Sequence, residues 1–108
     1  MRMTSNSLSD LGRFSDPSLL ILSSLASGSK HGYAMIQDIE QFCGTRLEVG
    51  TLYGALARLE KQGWIESLDV VERRRPYRLT EEGKAVLQKQ LVTMSKVVST
   101  GSQRLATA

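Results

Sequence analysis

"GTLYGALARLEKQGWIE", residues 50–66, decides how this chain folds. Leu52, Ala55, Leu56 and Leu59 recur at helical spacing and fall on one side of a helix, which makes that side a core face. The helix is predicted over about residues 50–62, with Gly63 as its C-terminal stop. The opposite side carries Tyr53, Gly54, Ala57 and Lys61, with Arg58 on the shoulder and Thr51 in the first turn. A solvated face ordinarily holds good helix formers, and Gly costs about 1 kcal/mol relative to Ala inside a helix. Small residues flanked by a phenol and two cations let a sugar or backbone edge come close while Tyr and Lys reach phosphates. A helix lying in the major groove of DNA needs that combination. The alternative is an exposed helix whose Gly54 faces another part of the same chain.

Upstream, Asp16-Pro17 starts a helix, with Asp as N-cap and Pro at the first helical position. Leu19, Leu20, Ile21, Leu22, Leu25 and Ala26 make that helix apolar nearly all round, hence central to the core, and Gly28 ends it. A second helix is predicted over about 32–42, with Met35, Ile36, Ile39 and Phe42 on one stripe and Gly44 as its end. "TRLEV", residues 45–49, alternates as a short extended stretch before the third helix. His31, with Lys30 before it and Tyr33 after it, stands at the start of the second helix, where a histidine caps or orients the first turn. Lys30, His31 and Tyr33 join the candidate DNA-facing set.

Downstream, "WIESLDVV" and "PYRLT" bracket "ERRR" and read as a hairpin, with Pro76 acceptable at a strand start or an edge. Arg73, Arg74 and Arg75 then sit on a projecting turn, where cations reaching phosphates contribute salt-sensitive attraction. A solvated loop or a patch for another partner is the plainer alternative for such a run. Tyr77 on the return strand suits either the core or a phosphate donor, and periodicity does not choose between them. Thr80 caps a last helix whose first turn holds Glu81 and Glu82 at the positive end of its dipole. Leu87, Leu91, Met94 and Val98 follow at spacings that form a heptad seam, and "STGS" at residues 99–102 is expected to end the helix.

The expected fold is therefore mainly α with a small β-hairpin. Residues 16–80 form a winged helix-turn-helix that binds double-stranded DNA, and residues 81–108 a dimerisation helix and tail. Residues 1–15, with Leu8, Leu11 and Phe14 at spacing three, form an extension that either makes a short amphipathic helix or frays. The seam of Leu87, Leu91, Met94 and Val98 is the expected homodimer contact, because a final helix with an apolar stripe needs a partner.

Composition agrees with this reading and narrows the rest. With 108 residues the chain holds one compact domain. Its formal net charge of +3 permits an anionic partner without requiring one. Beyond Glu82 there is no acid, only Lys84, Lys89, Lys96 and Arg104 among the charged residues. No apolar run approaches the roughly 18 residues of a membrane span, and the "LLIL" of residues 19–22 is too short for a signal-peptide core, so a cytoplasmic protein is expected. The single Cys43 excludes an internal disulfide and is expected to be a small buried or half-buried residue. One histidine makes no metal site, and a Gly-rich phosphate loop, a pocketed carboxylate pair and a nucleophile with a matching histidine are all missing, so neither a cofactor nor catalysis is expected.

Three blocks of the sequence, "ILSSLASGSKHGYAMIQDIE", "GTLYGALARLEKQGWIE" and "YRLTEEGKAVL", resemble the signature segments of the PadR family of bacterial transcriptional regulators. The resemblance implies a winged-helix dimer joined by its C-terminal helix, which represses genes from a palindromic operator. In many members a small molecule or a phenolic effector releases the DNA. It also implies that Thr51, Tyr53, Arg58 and Lys61 lie in the reading helix and Arg73, Arg74 and Arg75 in the wing. The wing here is short and carries Pro76 before Tyr77, and the single last helix resembles the short subfamily. An effector pocket would then lie between subunits, with Met35, Met94 and Val97 as adaptable apolar lining or as ordinary core. The rival reading is a winged helix that binds an acidic protein partner, which would usually present apolar anchors at Gly54 and Ala57.

Overall fold

The computed structural model describes residues 17–108, and seven elements follow one another along them: α1 (Pro17–Leu25), β1 (Lys30–His31), α2 (Gly32–Cys43), α3 (Val49–Lys61), β2 (Ile65–Ser67), β3 (Pro76–Leu79) and α4 (Glu81–Thr107). The Asp16 cap and the extension with Leu8, Leu11 and Phe14 lie outside the described residues. The architecture is mainly helical with a small antiparallel sheet, as expected, and α4 supplies the C-terminal helix.

The core forms where the three helices of the N-terminal half meet the sheet. Ile21, Met35, Ile39, Leu52, Leu56, Leu59 and Ile65 are essentially inaccessible, with Leu25, Ile36, Leu79 and Leu87 closing the edges. At about 1.5–3 kcal/mol for each large apolar side chain removed from water, this cluster is the main source of stability. Burial of Leu52, Ala55, Leu56 and Leu59 matches the face predicted for α3. Ser24 is the buried polar residue of α1, and its hydroxyl donates to Asp38 on α2 at 2.7 Å.

Several details differ from the sequence reading. The described residues form three strands in the order β1-β3-β2 rather than a lone hairpin. Residues 30–31 are too few to show a period, yet they pair with β3, Lys30 opposite Tyr77 and His31 opposite Pro76. Pro76 therefore begins a central strand, which it tolerates as the first residue. The stretch around residues 45–48 makes no strand: Leu47 drops into the core and Arg46 bonds Glu40 at 2.7 Å. Phe42 is half exposed and Cys43 exposed, since α2 is leaving the core when it reaches its left-handed cap at Gly44.

The largest difference is α4, which runs through "STGS" to Thr107. Ser, Thr and Gly lower helix propensity by no more than about 1 kcal/mol each, and no proline or left-handed cap stops the helix there. Its 27 residues span about 40 Å at 1.5 Å per residue, well beyond the globule, and the principal extents are 52 × 29 × 22 Å. Thr80 caps it as predicted, accepting from the Gly83 amide at 3.0 Å while donating to the Gly63 carbonyl at 2.6 Å. Leu87 is buried in the chain's own core, whereas Leu91 and Val98 are exposed on the same side and Leu105 continues their row one heptad on.

Candidate nucleic-acid interface

The outer face of α3 is open. Tyr53, Gly54, Ala57, Arg58, Lys61 and Thr51 are exposed, opposite the buried leucines. A Cβ built on Gly54 would meet only the tip of Arg58, at 3.9 Å, so no part of the described chain fills the space that this glycine leaves. Among the described residues, that removes the reading in which Gly54 faces another element. Gly32 serves a different contact: its Cβ would stand 2.5 Å from the Tyr53 phenol oxygen and 3.0 Å from Leu52. The missing side chain thus lets the start of α2 sit against α3. The only sequence signal for this was a glycine at the first position of a helix.

At the same corner His31 is the N-cap of α2, its Nδ1 accepting from the Ala34 amide at 3.3 Å. Its other ring nitrogen, Nε2, lies 3.0 Å from Nη1 of Arg74. Tyr33, in the first turn of α2, is exposed beside it. Lys30 behaves otherwise: its ammonium donates to the Ser24 carbonyl and, at 2.7 Å, to the Ser27 hydroxyl, and so caps the C-terminal end of α1. The structure does not bring Lys30 into the group formed by Tyr33, Tyr53 and the arginines.

The wing narrows to a two-residue turn. Val71 and Arg74 exchange both backbone hydrogen bonds, at 2.8 and 2.9 Å, around Glu72 and Arg73. Both central residues have positive φ, 51° and 68°, the backbone of a tight hairpin turn that Gly or Asn would adopt more readily. Arg73 is therefore at the tip, Arg74 turns back to His31, and Arg75 donates to the Leu68 carbonyl at 2.8 Å. Arg78, the fourth arginine of the run, pairs with Glu66 across β2 and β3 at 2.6 Å. Among the described residues, Arg73, Arg74 and Arg75 have no carboxylate within salt-bridge distance.

Tyr77 is half-buried against the core, between the wing and α3. Burial pushes its phenol above the ordinary value of 10.0, the charges of Glu60 and Tyr53 push the same way, and Arg75 opposes them. The phenol is thus a protonated donor at neutral pH. His31, Gly32, Tyr33, Tyr53, Arg73, Arg74 and Arg75 line a cleft of about 210 Å³, without a carboxylate among them. Six of the thirteen candidate contact residues named from sequence converge there, and Thr51, Gly54, Ala57, Arg58 and Lys61 extend the surface along α3. Met35 is fully buried in the core, which removes it from any effector site between subunits; Met94 is half exposed and Val97 exposed on α4.

Residues 21–89 match the model of the PadR-like family of transcriptional regulators. A PadR family transcriptional regulator from Eggerthella lenta superposes with a TM-score of 0.75 at 32% identity, covering 94% of this chain and 89% of that one. A transcriptional regulator from Clostridium thermocellum gives a TM-score of 0.72 at 28% identity, covering 94% and 97%. An uncharacterized 37.1 kDa protein of transposon Tn4556 from Streptomyces fradiae is 42% identical over 85 residues, which are 79% of this chain and 25% of that protein. The chain thus spans about a quarter of the length of the curated relative it matches. With its three-stranded winged-helix body and its C-terminal helix in place, the chain belongs to the PadR-like family of transcriptional regulators.

Proposed function

We propose that the chain is a sequence-specific regulator that binds double-stranded DNA, a repressor acting as a homodimer on a pseudo-palindromic operator in the cytoplasm. The observation that carries this reading is the open face of α3, where Gly54 leaves unfilled space between Tyr53, Arg58 and Lys61. Among the described residues, the wing arginines Arg73, Arg74 and Arg75 beside it have no carboxylate partner. Residues 16–80 are the DNA-binding unit and residues 81–108 the dimerisation helix and tail.

The homodimer reading is supported by α4. Leu91, Met94 and Val98 lie on one face, Leu105 extends it, and the exposures of 47% at Leu91, 62% at Val98 and 80% at Leu105 leave that face uncovered by the described residues of one chain. Leu87 anchors the base of the same row in the core and is at most the edge of the contact. Two-fold pairing would set two reading helices about 34 Å apart, one turn of DNA. Release by a small apolar or phenolic effector, seated between subunits near Met94 and Val97, is the regulatory form of this proposal. No membrane partner is proposed, and no described helix is long and apolar enough to cross one.

The test is binding to a duplex from the gene's own promoter against a scrambled duplex over a salt series. The expected result is a preference of tens-fold or more, with a log–log salt slope of about −0.9 for each phosphate contact. Gly54→Glu should abolish binding while leaving fold and dimer intact, since none of the described residues occupies the site of the new side chain. Normal binding by that variant would show that α3 is not the element in the groove.

A further inference from the structure

We infer that the cleft between the start of α2 and the wing is a seat for one backbone phosphate, held jointly by His31 Nε2 and the Arg74 guanidinium; this rests on the DNA-binding reading above. The reasoning begins with hydrogens. Because Nδ1 of His31 accepts the Ala34 amide, it carries no proton, and the neutral ring holds its proton on Nε2. Nε2 then presents an N–H to Arg74 Nη1, 3.0 Å away, and a guanidinium nitrogen has only donors. The alternative tautomer lets Nε2 accept from Arg74 but turns Nδ1–H against the Ala34 N–H. In either form one of the two contacts sets donor against donor.

An anionic oxygen placed beside the pair resolves this. It accepts from His31 Nε2–H and from Arg74 together while Nδ1 keeps its cap on α2. The surroundings fit such a guest: the cleft is about 210 Å³, and Arg73, Arg75 and the phenols of Tyr33 and Tyr53 complete its lining. Charge-assisted bonds from a planar guanidinium favour phosphate oxygens in particular. A phosphodiester on DNA and free inorganic phosphate share this chemistry. The position of the cleft, between the outer face of α3 and the tip of the wing, favours the phosphodiester, because a strand crossing from one to the other passes over it.

His31 is the only histidine in the chain, so its ring nitrogens give one unambiguous set of NMR signals. In the free protein the proton is expected on Nε2; a proton on Nδ1 would overturn the seat, since Nε2 would then be accepting from Arg74. Inorganic phosphate should shift the Nε2 signal saturably in the full chain but not in Arg74→Ala. The second measurement uses promoter duplexes carrying one neutral methylphosphonate at each position in turn. One position in each half-site should weaken wild-type binding about tenfold. His31→Asn keeps a good N-cap, because Asn accepts the same amide, but is too short to reach the phosphate. It should bind the unmodified duplex about tenfold more weakly and be indifferent to methylphosphonate at that one position. Equal sensitivity of His31→Asn and wild type at every position overturns the seat and leaves the DNA reading standing. A His31 signal that responds to inorganic phosphate, in a protein that shows no preference for any duplex, overturns both the phosphodiester and the DNA reading.

Discussion

The Tyr53 phenol rests on Gly32: a methyl group on that glycine would stand 2.5 Å from the phenol oxygen and 2.9 Å from the ring carbon that bears it. Two helices of the helix-turn-helix thus touch through an aromatic side chain and an absent one. Tyr53 is at once a packing residue and part of the outward surface.

Gly32→Ala should therefore turn Tyr53 out of its place. Relief by rotation of the exposed Tyr53 side chain, with a shift of a few tenths of an ångström by Leu52, limits the stability cost to about 1 kcal/mol, the low end for overpacking. Duplex binding should fall about tenfold, a larger effect on function than on stability. A thermal melt and a binding titration on the same sample check the two halves; unchanged binding would show that the position of Tyr53 is irrelevant to the interface.

Gly83→Ala should act in the opposite sense, on folding alone. The added Cβ would collide with the Trp64 carbonyl oxygen and stand 2.8 Å from its carbon, and both sides of that contact are backbone. The same Trp64 oxygen accepts from the Thr80 amide at 3.1 Å, so the joint between α3, β2 and α4 has no slack. A loss of about 3 kcal/mol is expected, lowering Tm by about 12 °C or more for a domain of this size. Differential scanning calorimetry gives the answer directly.

Val98→Asp combined with Leu105→Asp should convert the proposed dimer to a monomer that remains folded. Both side chains are exposed in one chain, so the monomer should lose no more than about 0.5 kcal/mol. Sedimentation velocity reports the oligomer, and circular dichroism the fold. A variant that stays dimeric would place the subunit contact elsewhere than the row on α4.

Tyr77 gives a pH dependence with a definite sign. Its phenol ionises above 10.0 in the folded chain, chiefly through burial, and near 10.0 when unfolded. Between the two values the folded state holds the proton that the unfolded state has lost, so stability falls as pH rises through that window. Tyr77→Phe should lose this part of the alkaline destabilisation. Ultraviolet titration of tyrosinate, compared with urea melts at pH 9 and 11, separates the wild type from the variant.

Helices α2 and α3 were legible because both carry a strong period and a marked end: four buried positions identify α3, and the glycines at 44 and 63 stop α2 and α3 with positive φ of 76° and 82°. The exposed face of α3 was legible for the converse reason, since Gly54 has no local justification. Strand β1 was not, because two residues cannot show alternation and its pairing is decided by β3, more than forty positions away. The extent of α4 was misjudged because weak helix formers delay a helix end without enforcing one. The approach of His31 to Arg74 was likewise invisible, as it depends on where the tight turn aims a side chain 43 positions away.

β1 has a consequence beyond completing the sheet. It ends where α2 begins, and it is paired to the strand that returns from the wing, so the peptide link between His31 and Gly32 joins the start of α2 directly to the sheet. Aim and reach are thereby separable in this molecule. Residues added in pairs to the turn around Glu72 and Arg73 would lengthen the wing along its existing line. One residue inserted between His31 and Gly32 would instead disturb how β1 and the start of α2 meet the wing and leave the wing's length unchanged.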